Sequence, residues 1–388
     1  MDYGGFMKKY AISAVFVFCT IVQAQLINQT INCQNSNENL QAAWVPKATV
    51  RAWSDIAMSS SGKYQTALAQ EGNLWVSKDF GNTWIQKDTT QFWSFIIMSG
   101  DGKYQTATVN GGTIWVSKDF GNSWIQRATT QYWSYVAMSN DGRYQTAVAG
   151  DSTGLGYLWV SADYGNNWTQ KDSYQPWTAL EMSNDGRIQT ASAYSGNLYI
   201  STDYGKSWVQ KAMEQNWLFI AMSSDGRIQT ATVEDSSLWI SFDCGNTWTQ
   251  KPNVQSCLFI TMSSNGKYQS VTVPDSNFIW TSNDYGHSWI QKITAQNFLG
   301  VIISSDGNIQ TALGSNGYIF ASSDYGNTWI QQATFQNWSW VAMSQNGKIQ
   351  TAIAYDGYIW RYGLEIDQNR PKTKPMFNHH FKKGFGRK

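Results

Sequence analysis

Charged residues are scarce in this sequence. Asp, Glu, Lys and Arg make up 14% of its 388 positions, and the formal net charge is +1. So small a net charge gives no bulk attraction to nucleic acid, and we expect no specific nucleic-acid binding. Only three histidines are present, and His379 and His380 stand together away from other ligand types. No glycine-rich phosphate loop occurs. We therefore expect no metal and no cofactor.

Cysteine is also rare, with four residues. Cys19 lies in the N-terminal apolar segment, which leaves Cys33, Cys244 and Cys257. An odd number of cysteines predicts that no disulfide framework holds the fold, and the pairing of these three stays open.

Long apolar runs are absent except for "AISAVFVFCTIV" at residues 11–22, which follows Lys8 and Lys9. We interpret residues 1–24 as a secretory signal peptide, with Gln25 as the first mature residue. A membrane anchor formed by the same apolar run is the alternative. The expected location is therefore extracellular, or on the surface of a cell or virion. Candidate glycosylation sites follow from the N-x-S/T sequons at Asn28, Asn167 and Asn337.

Tryptophan, in contrast, is abundant, with 21 residues, and an eight-residue segment recurs along the chain. Its seven copies are "SKDFGNTW" (77), "SKDFGNSW" (117), "SADYGNNW" (161), "STDYGKSW" (201), "SFDCGNTW" (241), "SNDYGHSW" (282) and "SSDYGNTW" (322). Successive copies are 40, 44, 40, 40, 41 and 40 residues apart. A regular period of this length is typical of repeat architectures.

Each repeat contains four short runs rich in β-branched and aromatic residues, such as "TWIQK", "WSFIIMS", "YQTATV" and "TIWVS". The second and third runs meet at Asp-Gly or Asn-Gly pairs, such as Asp101-Gly102, which favour tight hairpin turns. Four antiparallel strands in about 40 residues match one blade of a β-propeller. The sequence therefore predicts an all-β fold made of four-stranded antiparallel blades.

The number of blades follows from a mismatch between two counts. The hairpin pattern occurs eight times, whereas the eight-residue segment occurs seven times. Trp44 lies 40 residues before Trp84, so the first strand of the chain has the pattern of an outer strand. We predict a single propeller of eight blades over residues 42–362, in which the N-terminal strand closes the last blade; seven blades is the alternative. Residues 25–41 form an N-terminal segment, and residues 363–388 a basic tail expected to be disordered.

Two residue types recur at fixed positions of the repeat. Twenty of the 21 tryptophans do so, which indicates packing between blades, and Trp340 is the exception. A glutamine recurs in all eight units, for example Gln65 and Gln105, and we expect it to be buried in a ring of equivalent hydrogen bonds.

The recurring segment resembles the Asp-box, or BNR repeat, of sialidases, sortilin-type receptors, some xyloglucan hydrolases and the photosystem II stability/assembly factors. Six of the seven copies fit the form S-x-D-x-G-x-[T/S]-W, and the third departs from it at Asn167. The resemblance implies a propeller and places each box in the turn between the third and outermost strands, away from the catalytic face. Its aspartates are interpreted as turn-forming residues: Asp79, Asp119, Asp163, Asp203, Asp243, Asp284 and Asp324.

The catalytic pattern of a sialidase is missing. Arg143, Arg187 and Arg227 share one repeat position at hairpin tips, so they do not form an arginine cluster. Two acids break the repeat, Glu181 and Asp55, and both are candidate channel carboxylates. A glycosidase needs two carboxylates flanking one bond, and these two lie three blades apart. We therefore predict no catalytic residue and a non-catalytic member of the superfamily, with a sialidase-like or xyloglucanase-like hydrolase, or an assembly-factor-like protein, as the alternatives.

The expected function is binding. A secreted, monomeric propeller of this kind is predicted to recognise a glycan or a protein partner, and the basic tail to contact an anionic surface. The candidate binding rim consists of tryptophans that lead into the inner strands, although these could instead pack between blades: Trp93, Trp133, Trp177, Trp217 and Trp338.

Overall fold

The computed structural model describes residues 43–363, apart from 151–153, 172–173, 274–275, 295–296, 315–316 and 334. The predicted signal peptide, the N-terminal segment with Asn28 and Cys33, and the tail beyond Gly363 lie outside the described residues. Every regular element within the described ranges is a β-strand, which confirms the all-β prediction. In that part of the chain, no helix has the length and apolar character needed to cross a membrane.

Thirty-one strands follow one another along the described chain. They are β1 (Ala43–Pro46), β2 (Trp53–Met58), β3 (Gln65–Ala69), β4 (Gly72–Ser77), β5 (Ile85–Gln91), β6 (Trp93–Met98), β7 (Gln105–Val109), β8 (Gly112–Ser117), β9 (Ile125–Met138), β10 (Gln145–Gly150), β11 (Gly156–Ser161), β12 (Thr169–Gln170), β13 (Trp177–Met182), β14 (Gln189–Ala193), β15 (Gly196–Ser201), β16 (Val209–Gln215), β17 (Trp217–Met222), β18 (Gln229–Val233), β19 (Ser237–Ser241), β20 (Thr249–Gln255), β21 (Ile260–Met262), β22 (Gln269–Thr272), β23 (Phe278–Ser282), β24 (Ile290–Ile293), β25 (Phe298–Ile303), β26 (Gln310–Gly314), β27 (Ile319–Ser322), β28 (Ile330–Gln331), β29 (Trp338–Met343), β30 (Gln350–Ala354) and β31 (Ile359–Gly363).

The strands form six four-stranded antiparallel sheets and one seven-stranded sheet, β6 to β12. The long strand β9 explains the larger sheet. Its residues up to Gln131 pair with β8, and its residues from Tyr132 onward pair with β10. β9 is therefore the outer strand of one blade and the inner strand of the next. The seven-stranded sheet consists of two blades, and the propeller has eight.

The two ends of the described chain meet in the last blade. β1 pairs with β31, from Ala43 opposite Gly363 to Pro46 opposite Trp360. β1 is an edge strand, where a proline costs the sheet no ladder hydrogen bond. The Trp44 ring lies 5.4 Å from the Tyr362 ring, centroid to centroid. The prediction that the N-terminal strand closes the last blade is confirmed.

A closed ring of backbone hydrogen bonds surrounds the propeller axis next to the inner strands. One residue of each inner hairpin donates its N–H to the carbonyl of the equivalent residue in the following blade, over 2.7–3.0 Å. Gln345 donates to Ser60 over 2.9 Å and so closes the ring. The ring has eight members, one per blade: Ser60, Gly100, Asn140, Asn184, Ser224, Ser264, Ser305 and Gln345.

A second closed ring involves the recurring glutamine. The hydroxyl of the residue that follows this glutamine donates to the glutamine Oε1 of the next blade, over 2.5–2.7 Å in all eight cases. The glutamine Nε2 donates to the glycine carbonyl of its own hairpin, as Gln105 does to Gly102 over 3.1 Å. These glutamines are buried, so both of their polar atoms need partners. The predicted ring of equivalent contacts is confirmed.

Tryptophans fill the space between neighbouring blades. Trp93, at the start of β6, packs with Ile96 of its own blade and with Leu68 and Leu74 of the preceding one. Its ring meets the Trp115 ring edge-on at 5.9 Å. Burial of a large aromatic side chain in such a contact contributes about 1.5–3 kcal/mol. The regular placement of tryptophan in the sequence thus reflects packing between blades.

The connections between strands alternate between two faces of the ring, because consecutive strands are antiparallel. The inner hairpins, such as residues 59–64, share one face with the turns that contain the recurring segment, such as residues 77–84. We call this the Asp-box face. The turns between the second and third strands, and the segments that lead to the next inner strand, lie on the other face. We call this the connection face.

Candidate functional site

The side chain of Asp79 is fully used within its own turn. Its Oδ1 accepts hydrogen bonds from the Ser77 hydroxyl and the Thr83 N–H, both over 2.9 Å, and its Oδ2 accepts one from the Thr83 hydroxyl over 2.7 Å. Burial alone would raise the pKa of Asp79, but the bonds from Thr83 and Ser77 outweigh it and lower the pKa. Trp84 completes the turn by donating its Nε1–H to the Gly81 carbonyl over 3.1 Å.

Gly81 is required in this turn for two reasons. Its φ of 79° lies in the left-handed region, which disfavours residues with a Cβ. A Cβ at this position would also lie 3.0 Å from Oε1 of Gln65, a member of the buried glutamine ring. The segment therefore links the surface turn to the hydrogen-bonded interior of its blade.

The third copy of the segment departs from the usual form at Asn167, but the hydrogen bond to its aspartate is kept. Asn167 replaces the usual Thr or Ser, and its Nδ2 donates to Asp163 Oδ2 over 2.6 Å in place of a hydroxyl. The other aspartates accept the same set of bonds as Asp79: Asp119, Asp203, Asp243, Asp284 and Asp324. No group of three or more His, Cys, Asp or Glu able to hold a metal occurs within the described ranges.

The five tryptophans of the candidate binding rim lie in the core between blades rather than at an exposed rim. Their exposed fractions are only 0–3%. Four of them donate Nε1–H to a glycine carbonyl of the preceding blade, as Trp133 does to Gly112 over 3.1 Å. A buried indole has no face free to stack on a sugar ring. The set comprises Trp93, Trp133, Trp177, Trp217 and Trp338.

Asp55 joins the inner strands of the first two blades. Its Oδ1 accepts the N–H of Ile56 over 2.8 Å, and its Oδ2 accepts the N–H of Ile96 over 2.9 Å. Burial raises the pKa of Asp55 to about 7, although the bonds from Ile96 and Ile56 act in the opposite direction. Both oxygens already have backbone partners, so this carboxyl has a structural role across the blade boundary.

Glu181 lies on the inner strand β13 and is half-buried. Burial raises the pKa of its carboxyl to about 7, and a hydrogen bond from the Met182 N–H partly offsets this. The two carboxyls therefore do not contact each other. Asp55 accepts hydrogen bonds from β2 and β6, and Glu181 accepts one from β13.

Aromatic side chains occupy the strand position of Asp55 in several other blades. The Phe95 and Tyr135 rings lie 5.9 Å apart, and the Phe219 and Phe259 rings 5.2 Å apart. Trp340, the tryptophan outside the repeat positions, has its ring 5.3 Å from Phe259, two blades away. The blade between them has Gly300 at this position, where a Cβ would lie 3.2 Å from the Trp340 ring. The absence of a side chain there lets Trp340 reach Phe259.

A cavity of about 310 Å³ opens on the propeller axis at the Asp-box end of the inner strands. Serine, asparagine and glutamine residues of the backbone ring line it, together with the thioether side chains of six methionines. We call these thioethers the methionine ring: Met58, Met98, Met138, Met222, Met262 and Met343. Ile303 takes the same position in the seventh blade and also lines the cavity. In the sequence these methionines are visible only as part of the hairpin pattern, because their convergence depends on closure of the ring.

Comparison with known proteins identifies the repeat. The family profile described as "BNR-Asp box repeat" matches residues 74–89, 114–126 and 158–171, which are the first three turns of this type. These three turns are therefore similar to BNR-Asp box repeats, in agreement with the resemblance seen in the sequence. A comparison with curated protein sequences found no match.

Solved structures with the same fold include YCF48 from Cyanidioschyzon merolae, at 14% identity and a TM-score of 0.53, covering 83% of this chain and 99% of that one. A structure described as YCF48 bound to D1 peptide matches at 14% identity and a TM-score of 0.53, covering 87% and 100%. The C-terminal WD40 domain of Sif2 matches at 9% identity and a TM-score of 0.66, covering 83% and 99%. At these identities the likeness concerns the fold alone.

The connection face of this Asp-box propeller carries large exposed apolar side chains. Phe92 and Tyr132 occupy equivalent positions before two adjacent inner strands and are 59% and 51% exposed. We call the following set the apolar connection residues: Phe92, Tyr132, Tyr174, Met213, Phe335 and Tyr358. A cleft of about 460 Å³ lies near the same ends of β20 and β23, between Gln255 and Phe278.

Two of the sequons lie within the described chain. Asn167 and Asn337 are both exposed. The Asn167 amide is engaged by Asp163, whereas Asn337 lies on the connection face. Their glycosylation stays a prediction.

Proposed function

We propose that this Asp-box propeller is a non-enzymatic platform that binds a protein partner through its connection face. The observation that carries the proposal is the set of exposed apolar connection residues on that face. Exposed aromatic side chains are costly in water and are enriched at protein interfaces, where their burial stabilises the complex. The set is spread over several blades, so a partner that crosses the face would contact more than one of them.

The opposite face is less suited to this role. Its repeated acids are engaged in their own turns, as Asp79 is by Thr83 and Ser77. Tyr325, an exposed aromatic residue of this face, stacks on the Tyr268 ring at 4.3 Å. An aromatic ring that is stacked within the molecule offers a partner less free surface than Phe92 does.

A protein partner is favoured over a glycan by two considerations. The tryptophans first considered for sugar stacking are buried. In addition, a structural neighbour is described as YCF48 bound to D1 peptide, so a peptide can be held by a propeller of related fold. We extend this to the present chain as a proposal about the kind of partner, without extending the identity of the peptide.

Our proposal that the protein has no enzymatic activity is based on the surroundings of the two channel carboxyls. Asp55 has both oxygens bound by backbone N–H groups, and Glu181 accepts from Met182. A glycosidase requires an acid and a second carboxylate on either side of one glycosidic bond. We also propose that the protein acts outside the cell, on the basis of the apolar segment at residues 11–22.

The experiment is a selection of displayed random peptides against the full chain, compared with two surface variants. Phe92→Ser with Tyr132→Ser removes two apolar connection residues. Ile85→Ser with Ile125→Ser is the matched control, since these side chains are 59% and 51% exposed but lie at the Asp-box ends of β5 and β9. We expect enriched peptides to lose at least tenfold in affinity for the first variant and to keep their affinity for the control.

Other outcomes would contradict the proposal. Equal loss in both variants, or no enrichment at all, would remove the connection face as the binding site. Binding on a glycan array that survives the Phe92 and Tyr132 substitutions would favour a lectin. Turnover of a fluorogenic sialoside that vanishes in Glu181→Gln would favour a hydrolase.

A further inference from the structure

We propose that the methionine ring binds one soft monovalent metal ion, Cu(I) or Ag(I), through its thioether sulfurs. The site lies on the axis, at the end of the channel nearer the Asp-box face, so the inference is independent of the connection face. Six methionines from six different blades line a single cavity of about 310 Å³. Blade geometry brings these side chains to one place although successive members are 40 or more residues apart along the chain.

The six ring methionines are partly exposed to the cavity. Each is half-buried and contributes to the wall of the cavity, although Met262 also packs against a core cluster between blades. Methionine has three rotatable bonds and a polarisable sulfur, so several of these side chains can converge on one ion. Thioethers are soft, uncharged ligands that suit soft ions such as Cu(I), whereas hard cations such as Mg²⁺ prefer oxygen ligands.

The backbone around the ring is fixed. Two residues beyond each ring methionine lies a member of the closed backbone ring, for example Ser60 after Met58 and Gly100 after Met98, joined over 2.8 Å. This holds the ends of neighbouring inner strands at hydrogen-bonding distance. The methionine side chains are then the adaptable part of a rigid frame.

The charge of the residues that line the cavity is also compatible with a bound cation. The residues found lining it carry no basic side chain, and its border has neutral oxygen-bearing groups such as Asn140, Asn184 and Gln345. Lys103 and other basic residues of the inner hairpins lie farther out, and acids of the same hairpins, such as Asp101, accompany several of them. Metal binding here forms sulfur-to-metal bonds and displaces water, with no change in oxidation state.

The test uses the full chain with its cysteines replaced, because thiolates would compete for Cu(I). The background carries Cys19→Ala, Cys33→Ser, Cys244→Ser and Cys257→Ala. Cu(I) affinity is measured anaerobically, by competition with the chromophoric chelator bicinchoninate. Methyl-labelled methionine is followed by NMR during the same titration with Cu(I), and in parallel with Ag(I).

Three variants test whether the ring thioethers are the metal ligands. Met98→Leu with Met138→Leu keeps side-chain volume and removes two thioethers. Met213→Leu is the matched control, since Met213 is exposed on the connection face. Ile303→Met places a further thioether at the seventh-blade position. We expect one equivalent of Cu(I) per chain, at least tenfold weaker binding in the double variant, unchanged binding in Met213→Leu and equal or tighter binding in Ile303→Met.

The NMR readout decides whether the ring itself is the site. Ring methyl resonances should shift together and saturate at one equivalent, while the Met213 methyl stays in place. The proposal is overturned if Cu(I) is not retained against the chelator, if the Met213 methyl shifts alongside the ring methyls, or if the folded double variant binds as tightly as its parent. Matching thermal unfolding curves of parent and double variant establish that the latter is folded.

Discussion

The Thr351 hydroxyl of the last blade donates a hydrogen bond to Gln65 Oε1 of the first blade over 2.7 Å, across 286 residues of sequence. It is the contact by which the buried glutamine ring closes. Its seven counterparts join neighbouring blades that are also consecutive in the chain. The same hydroxyl-to-glutamine hydrogen bond therefore joins consecutive blades and also joins the last blade to the first.

Replacing Gln65 by leucine should destabilise the protein by about 2–4 kcal/mol. The change leaves the buried Thr351 hydroxyl and the Gly62 carbonyl without their partners, and unpaired buried polar groups are costly. Thermal or urea unfolding of Gln65→Leu measures the loss. Gln65→Leu combined with Thr351→Val should recover part of it, because the pair is then removed together. A double variant as unstable as the sum of its single changes would contradict the coupling.

Asp79→Ala should lower stability by about 1–3 kcal/mol and leave the fold intact. The substitution removes the acceptor of the Thr83 N–H and of the Thr83 and Ser77 hydroxyls. Chemical unfolding, with far-ultraviolet circular dichroism to check the native signal, measures this. Asn167→Thr is the companion variant: it restores the usual residue beside Asp163 and should be neutral within about 0.5 kcal/mol. A large loss in Asn167→Thr would show that the amide does more than replace a hydroxyl.

The Glu181→Gln variant should gain stability relative to the parent protein as pH rises. The pKa of Glu181 is raised from 4.5 to about 7 by burial, so the stability associated with its protonated form is fully present below about pH 4.5 and is lost as pH rises through 7. Glutamine carries no such titration. The difference in unfolding free energy should therefore grow by on the order of 1–3 kcal/mol between pH 4.5 and pH 8. Parallel pH profiles for the two proteins would contradict the raised pKa.

Arg361→Leu should weaken closure of the propeller. Arg361 of β31 is buried, and its Nε–H donates to the Phe80 carbonyl of the first recurring segment over 2.8 Å. Five of the seven other blades carry Val or Ile at this strand position, such as Val76, and leucine supplies similar apolar volume without a donor. We expect a loss of about 1–3 kcal/mol in urea unfolding. Arg361→Lys should not restore the bond, because lysine has no donor at the position of Nε. Full recovery by lysine would indicate that charge alone matters here.

The local structure of each blade could be predicted because the same sequence pattern recurs in every blade. Asp-Gly hairpins, alternating strands and the turn around Asp79 depend on residues close together in sequence, and they recur at a period of about 40. The count of eight blades also followed from the sequence, since the outer strand at Trp44 is separated from the blade that it completes. The closed rings of eight hydrogen bonds confirm it.

Three features were decided only by the tertiary structure. The tryptophans that lead into the inner strands proved buried, because exposure depends on how the next blade packs against them and the repeat pattern is the same for either outcome. Trp340 reaches Phe259 only across Gly300, a contact between blades that are not neighbours.

The methionines of the hairpin pattern converge on one cavity because the ring closes, and no single repeat contains that information. The sequence by itself determined the blade, its period and the turn that ends its third strand, since these depend on local hydrogen bonds and side-chain alternation. The tertiary structure decided which repeated side chains face the core, the axis or the solvent, because that depends on contacts between residues 40 or more positions apart.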